Sequence, residues 1–482
     1  MTGHPLLYQV NARLLLRTLG AASLDRIPDS WLDRLRALGV DWLYLLGVWR
    51  LGEAALAISR ADPNVRTEAA AMLDDFTDAD IAGSPFAITG YEIAPGLGGN
   101  AALASLRDRL RARGLKLILD FIPNHTAPDH PWVTSDPDLY VNADAARLEA
   151  DPSNWRRIMT GAGERVLALG RDPYFDGWSD TLQLDYANPA LQTRMRGELA
   201  HVATLCDGVR ADMAMLVLPD VFQRTWGRVA ADFWPDAITA ARRANADFTL
   251  LAEVYWGLED ALLDRGFDHA YDKEFYDALV ARDPARQRVL LDAPADHQSR
   301  RARFLENHDE PRAAAVFRWP ERRVATALVF FSPSLRFLHE GQIEGFRHHV
   351  SMHVGRAPVE QPDPVSIAFH ENLLAILPRN GDFIYLVPSP AWDGNESCNG
   401  FIAVLWRTQT ETLLVVANNT GNQGQCRLRL DLGAGAITLE DRLGPERYTR
   451  DAIEIATAGL FIDQPAWGLN AFRIRNGSSP PA

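Results

Sequence analysis

The chain has 482 residues, with 49 basic against 63 acidic side chains and a formal charge of −14. Apolar residues make up 47% and charged residues 23%, which excludes wholesale disorder and a small disulfide-stapled scaffold. The acidic balance argues against a nucleic-acid binder, which needs a basic stripe, and weakly against an anionic membrane surface.

Cys206, Cys398 and Cys426 form no C-x-x-C pair and no metal-ligand spacing, and their odd number fits reduced thiols. Residues 1–10 lack the basic and apolar regions of a signal peptide, and no stretch approaches the ~18 apolar residues of a membrane span. The expected address is the cytoplasm.

In chain order, residues 6–10 read as a strand, and residues 29–38 as a helix opened by Pro28 and Asp29 and stopped by Gly39. Residues 41–46 are strand-like, 101–113 helical, 115–121 a buried parallel strand, and 190–205 helical again. Short strands follow at 208–212, 248–253, 267–271, 303–307 and 335–338, with helical patterns between them. Strands alternating with helices imply βαβ units, and this spread suits an α/β fold of the (β/α)8 TIM-barrel type. Residues 58–88 form one insertion into that rhythm. Residues 126–186, rich in Pro, Asp, Trp and Gly, form a larger one, expected to be a small subdomain after the third strand. Beyond residue 388 five strand candidates at 401–406, 412–417, 426–430, 436–439 and 471–474 point to an all-β tail, a β-sandwich. The expected domains are a catalytic barrel of residues 1–125 and 187–388, a subdomain of 126–186 and a β-sandwich domain of 389–482, with 477–482 frayed.

Function in such a barrel gathers at the carboxyl ends of the strands. There the third strand ends Asp120-Phe121-Ile122-Pro123-Asn124-His125. The fourth gives Gly208-Val209-Arg210-Ala211-Asp212, the fifth ends in Glu253, and the seventh runs into Asn307-His308-Asp309. An apolar strand core needs none of these ionisable groups.

In this order, D-x-x-x-N-H, G-x-R-x-D, a strand-terminal Glu and N-H-D resemble the four motifs of the alpha-amylase superfamily, glycoside hydrolase family 13. The resemblance spans about residues 6–480. It implies a retaining α-glycosidase acting on α-linked glucose oligosaccharides, with Asp212 as nucleophile, Glu253 as general acid/base and Asp309 as the third carboxylate. Retention needs one carboxylate to attack the anomeric carbon and a second, protonated carboxyl to serve the leaving oxygen. Arg210, two residues before Asp212, faces the same way on a strand and supplies a cation beside it. The apolar run before Glu253 is of the kind that raises a carboxyl pKa. Asp309, helped by His125 and His308, is expected to hold sugar hydroxyls.

Phe86, five residues before Tyr91, occupies the position of the family's aromatic stacking platform. Trp49 and Trp256 sit where substrate would pass, and Trp132, Trp155 and Trp178 are candidates for one wall of the cleft. Asp120 reads as a structural residue that caps a turn or pairs with Arg210, and Asn124 as a loop hydrogen-bonder in preference to a calcium ligand. The insertion offers Asp129, Asp136, Asp138 and Asp151 without a clear ligand set, so no cofactor is required and no metal residue is assigned, although Ca2+ stays open. Met213-Ala214-Met215-Leu216 replaces the Lys-His pair that glucan hydrolases often carry after the nucleophile, which argues against long starch chains. The expected partner is a small carbohydrate, with no nucleic acid and no membrane, and the sequence fixes no oligomeric state. Two rival readings keep the fold: a transglycosylase, isomerase or phosphorylase using the same intermediate, and a barrel that only binds sugars.

Overall fold

The computed structural model describes residues 3–476. Eight parallel strands close into a barrel: β1 (Leu6–Asn11), β2 (Trp42–Leu46), β3 (Lys116–Phe121), β4 (Gly208–Ala211), β5 (Thr249–Ala252), β6 (His269–Tyr271), β7 (Arg301–Phe304) and β8 (Leu335–His339). Each strand pairs with its neighbours in sequence, and β1 closes the ring against β8. The strands are short and almost wholly buried, because helices cover the outside and side chains fill the inside. Gly208 opens β4 where a Cβ would stand 2.5 Å from the Thr249 carbonyl, so the tight approach of β5 requires glycine there.

The helices obey the expected stops and starts. Asp29–Ala37 ends beside Gly39 at φ +77°. Pro189–Leu205 opens with Asn188, whose side chain accepts from the Ala190 amide, and with Pro at the first position. The insertion after β3 is closed at its base: His125–Thr126 pairs antiparallel with Leu182–Gln183. Inside it, Gly163–Ala168 pairs with both Asn142–Ala143 and Trp155–Thr160 in a three-stranded sheet. The shorter insertion begins earlier than residue 58, with two helices, Glu53–Ala61 and Pro63–Met72.

The tail is built of a six-stranded antiparallel sheet and a two-stranded one, with one short helix, Ala452–Thr457, around a second apolar core that includes Phe401, Leu414 and Phe472. The indole of Trp406 donates to the Phe331 carbonyl at 2.8 Å, tying this sheet to the barrel. The sheet begins earlier than the break at residue 388: Asp382–Leu386 pairs with Phe401–Arg407 and is its edge strand. That strand is a short apolar run, Phe383-Ile384-Tyr385-Leu386, without period-two alternation and only half-buried. The segment 477–482 expected to fray lies outside the described residues. Among the described residues no helix is long and apolar enough to cross a membrane.

Candidate active site

Strand register brings two acids together. Ala211 of β4 lies opposite Ala252 of β5, and the next residue on each strand is acidic. Asp212 and Glu253 therefore leave neighbouring strands at one level. Their amides are fixed by the barrel: Asp212 N–H donates to the Phe121 carbonyl at 2.8 Å, and Glu253 N–H to that of Ala211 at 3.0 Å. Asp309 follows β7 in a turn in which Asn307 Oδ1 accepts from the amides of Asp309 and Glu310, at 2.8 and 2.9 Å.

One guanidinium stands among all these acids. Arg210 Nη1 lies 2.6 Å from Asp212 and 3.6 Å from Asp120, and Nη2 lies 2.8 Å from Glu253 and 4.0 Å from Asp309. Ionising all four acids would leave three negative charges in excess of this single cation in a buried space, which is costly. Burial raises Glu253 well above the ordinary carboxylate range, against the pull of Arg210 and with the charges of Asp212 and Asp309 adding to the rise. Burial likewise raises Asp309, and pushes Asp120 up to about 7. Burial holds His125 and His308 below the usual histidine value, so neither supplies a second cation at neutral pH.

Glu253 is also gripped by its surroundings. Met213 N–H donates to its Oε2 at 2.6 Å and Tyr255 O–H to its Oε1 at 2.9 Å. Met213 reaches that position at φ +43°, and Trp256 on the other flank stands at φ +65°, both in the left-handed region that ordinary side chains avoid. Strained backbone beside both acids is the kind of strain that functional sites retain.

The acids open into a cavity of about 300 Å3 lined by residues including Phe86, His125, Trp178, Asp180, Tyr255 and His353. Two wider hollows, of about 840 and 1120 Å3, contain none of the three carboxylates. Phe86 stands on the wall with the Arg210 guanidinium 5.2 Å from its ring centre, and His125 lies beside Trp178.

The structure departs from the sequence reading at several residues. Trp49 is 0% exposed and donates to the Asp120 carbonyl at 2.9 Å; it packs edge-on against Tyr91 and is not among the residues lining the cavity. Trp256 is 39% exposed but stands outside the cavity, edge-on to Tyr174. His308 is buried behind Phe86, with Nδ1 2.7 Å from Gln9 Nε2 and Nε2 3.2 Å from Asp309, and is not among the residues lining the cavity. Of the three tryptophans of the insertion only Trp178 lines the cavity; Trp132 lies against His130 and Trp155 against Trp226. Arg210 serves both Asp212 and Glu253 instead of Asp212 alone.

The supporting residues do hold the site. Asp120 accepts from Tyr44 O–H at 2.5 Å and from Gly47 N–H at 3.4 Å. Tyr91 O–H donates to the Ile122 carbonyl and accepts from the Ile122 amide, and its ring stacks on Phe121. Asn124 Oδ1 accepts from Gln183 at 2.9 Å, which spends the side chain on the base of the insertion. Asp129, Asp136 and Asp151 accept hydrogen bonds from Ala54, Arg194 and Asn154 respectively, in separate places. Among the described residues no group of three or more His, Cys, Asp or Glu is placed to hold a metal ion.

The model of the alpha-amylase catalytic domain matches residues 32–348, more than half of the chain. The chain belongs to the alpha-amylase family. Among curated relatives, alpha-amylase MalA of Haloarcula japonica is 23% identical over 350 residues, covering 71% of this chain and 44% of that protein. The amino acid transporter heavy chain SLC3A1 of Mus musculus is 26% identical over 170 residues, covering 33% and 25%. The matches thus span less than half the length of these two relatives. Among solved structures, the maltogenic alpha-amylase AmyB of Thermotoga neapolitana shares the fold with a TM-score of 0.70 at 17% identity, over 98% of this chain and 99% of that one.

Of the residues lining the cavity in this alpha-amylase barrel, the three acids, Arg210, His125, Phe86 and Trp178 are among those expected from the sequence, whereas Tyr255, Asp180, Thr181, Met352 and His353 lie outside those expectations. Tyr255 carried one signal, its position two residues after Glu253. The others come from loops whose course depends on tertiary packing.

Proposed function

We propose that the protein cleaves α-glucosidic bonds of oligosaccharides with retention, by double displacement through a covalent glycosyl-enzyme intermediate. Asp212, which makes the shortest contact with the guanidinium, attacks the anomeric carbon. Glu253, kept protonated by burial, gives its proton to the departing oxygen. The bond to the leaving sugar breaks as the bond to Asp212 forms. Glu253, now ionised, then takes a proton from the water that attacks the same carbon and frees Asp212. Asp309, at the pocket wall, binds hydroxyls more strongly in the distorted ring of the transition state. Phe86 offers an apolar face to the C–H side of the ring.

The observation that carries this reading is Asp212 and Glu253 sharing the two Nη atoms of one guanidinium. Side by side, the two carboxyls fit retention, which uses a separation of about 5–5.5 Å, better than inversion, which leaves room for a water between them. A barrel that only binds sugar has no need to hold two such acids around one guanidinium. The three buried thiols fit a reducing cytoplasm, and the small cavity fits a small carbohydrate.

The test is turnover of aryl α-glucosides and of maltose, trehalose and sucrose, reading released and transferred sugar together. Asp212→Asn and Glu253→Gln each reduce turnover by roughly a thousand-fold or more with folding intact. Activity close to wild type in either variant contradicts the assigned roles. Transfer products without net free glucose move the protein to the transglycosylase branch of the same mechanism.

A further inference from the structure

We propose that Asp180, together with His353, is the element that selects the sugar, Asp180 accepting a hydrogen bond from one ring hydroxyl and His353 donating to the adjacent one of the glycosyl unit held against Asp212 and Glu253. The inference rests on the glycosidase reading above and names a recognition residue for it. Asp180 belongs to the insertion after β3, next to the Leu182–Gln183 strand that closes its base, and His353 to the loop after β8. Both line the same cavity as the three acids.

Asp180 is only 8% exposed, yet among the described residues no protein group hydrogen-bonds its carboxylate, and its Oδ2 is fully occluded without a partner. The nearest cationic candidate, His353 Nε2, stands 3.7 Å away, beyond hydrogen-bond reach. Three other buried acids are served at both oxygens. Asp272 has Arg303 at 2.7 Å and the Phe275 amide, Glu306 has Arg312 and the Ala313 amide at 2.7 Å each, and Asp441 accepts from Asn470 and two backbone amides. A buried carboxylate without donors is expensive, and here it faces the cavity where substrate would lie.

The two groups are also held from behind. Thr181 Oγ1 accepts from Gly170 N–H at 3.1 Å and donates to the Trp178 carbonyl at 3.0 Å, fixing the segment next to Asp180. The His353 carbonyl accepts from the amides of Ala82 and Gly83 at 2.8 and 3.2 Å, which fixes its loop. A carboxylate only accepts, and an imidazole N–H donates, so the pair matches two neighbouring hydroxyls, one giving its proton to Asp180 and the other receiving from His353. A ring lacking one of those hydroxyls would leave Asp180 desolvated and unpaired, which makes such a site selective.

The test is calorimetric binding of maltose and of its monodeoxy analogues, in the Glu253→Gln background so that chemistry does not intervene. Adding Asp180→Ala weakens maltose binding by about ten- to a hundred-fold, the usual loss for a hydrogen bond to a charged group. It also removes the preference for maltose over one deoxy analogue, and Asp180→Asn falls between. The thermal midpoint stays level or rises in Asp180→Ala, because no protein hydrogen bond is lost with the carboxylate; a structural role would lower it. Equal maltose affinity with and without Asp180, or a fall in midpoint that parallels the fall in affinity, overturns the inference while leaving the glycosidase reading in place. Failure of every sugar to bind with Asp180 intact overturns both.

Discussion

The backbone N–H of Met213 donates to Oε2 of Glu253 at 2.6 Å, and the residue adopts a left-handed conformation to do so. The turn that follows Asp212 thus ends on Glu253, so the placement of one acid depends on the backbone that leaves the other. A β-branched side chain resists φ +43° more strongly than methionine. Met213→Val is expected to cost about 1–3 kcal/mol in urea unfolding and to lower kcat, whereas Met213→Gly keeps the turn and most of the activity. Unchanged stability and kcat in Met213→Val would remove the role assigned to this strain.

Trp49 separates packing from recognition. Its indole serves the Asp120 carbonyl. Trp49→Phe leaves that buried carbonyl without its donor and is expected to cost about 1–3 kcal/mol of stability with KM little changed. Trp178→Ala, on the pocket wall, raises KM instead. Steady-state kinetics beside denaturant titration check both outcomes.

Stability is expected to pass through a maximum a little below neutral pH. Burial lowers His4, His130, His269 and His370 to about 4. The unfolded chain protonates them from about 6.5 downward, so the stability they contribute is complete above that pH and lost as pH falls. Burial raises Asp120 and Glu340 to about 7. The fold keeps their protons where the unfolded chain has released them, so their contribution is present at low pH and lost as pH rises through 7. Above pH 6.5 the carboxyls act without the opposing histidines. Urea midpoints should fall from pH 6.5 to 8, and Asp120→Asn should flatten that fall.

The same sign governs the alkaline limb of catalysis. Glu253 must be protonated to serve the leaving oxygen, and burial extends its protonated range upward. A plot of kcat/KM against pH is therefore expected to hold through neutrality and to fall on the alkaline side, well above the ~4.3 of an ordinary glutamate. A limb near that ordinary value would show that Glu253 is not the acid.

The barrel was legible because parallel strands covered on both sides read as apolar runs, and because functional acids end those runs against the pattern. Asp212, Glu253 and Asp309 could be named because the strand-end motifs that hold them resemble, in order, those of the alpha-amylase superfamily. The edge strand Asp382–Leu386 was passed over although Phe383-Ile384-Tyr385-Leu386 is an apolar run, because no alternation marks it and it abuts the end of the barrel pattern. Trp49 was misplaced because its position at a strand end fits the floor of a site as well as its wall. Asp180 and His353 come from two separate loops, and nothing in their local sequence shows that these loops meet.

The most direct measurement is intact and peptide mass spectrometry of Glu253→Gln after reaction with an α-glucosyl fluoride. Fluoride needs little help to depart, while breakdown of the intermediate lacks its base, so the adduct accumulates. The account predicts one added glucosyl unit, located on the peptide that contains Asp212 and absent from the Asp212→Asn/Glu253→Gln double variant. Turnover without any adduct, or an adduct on another residue, would contradict it.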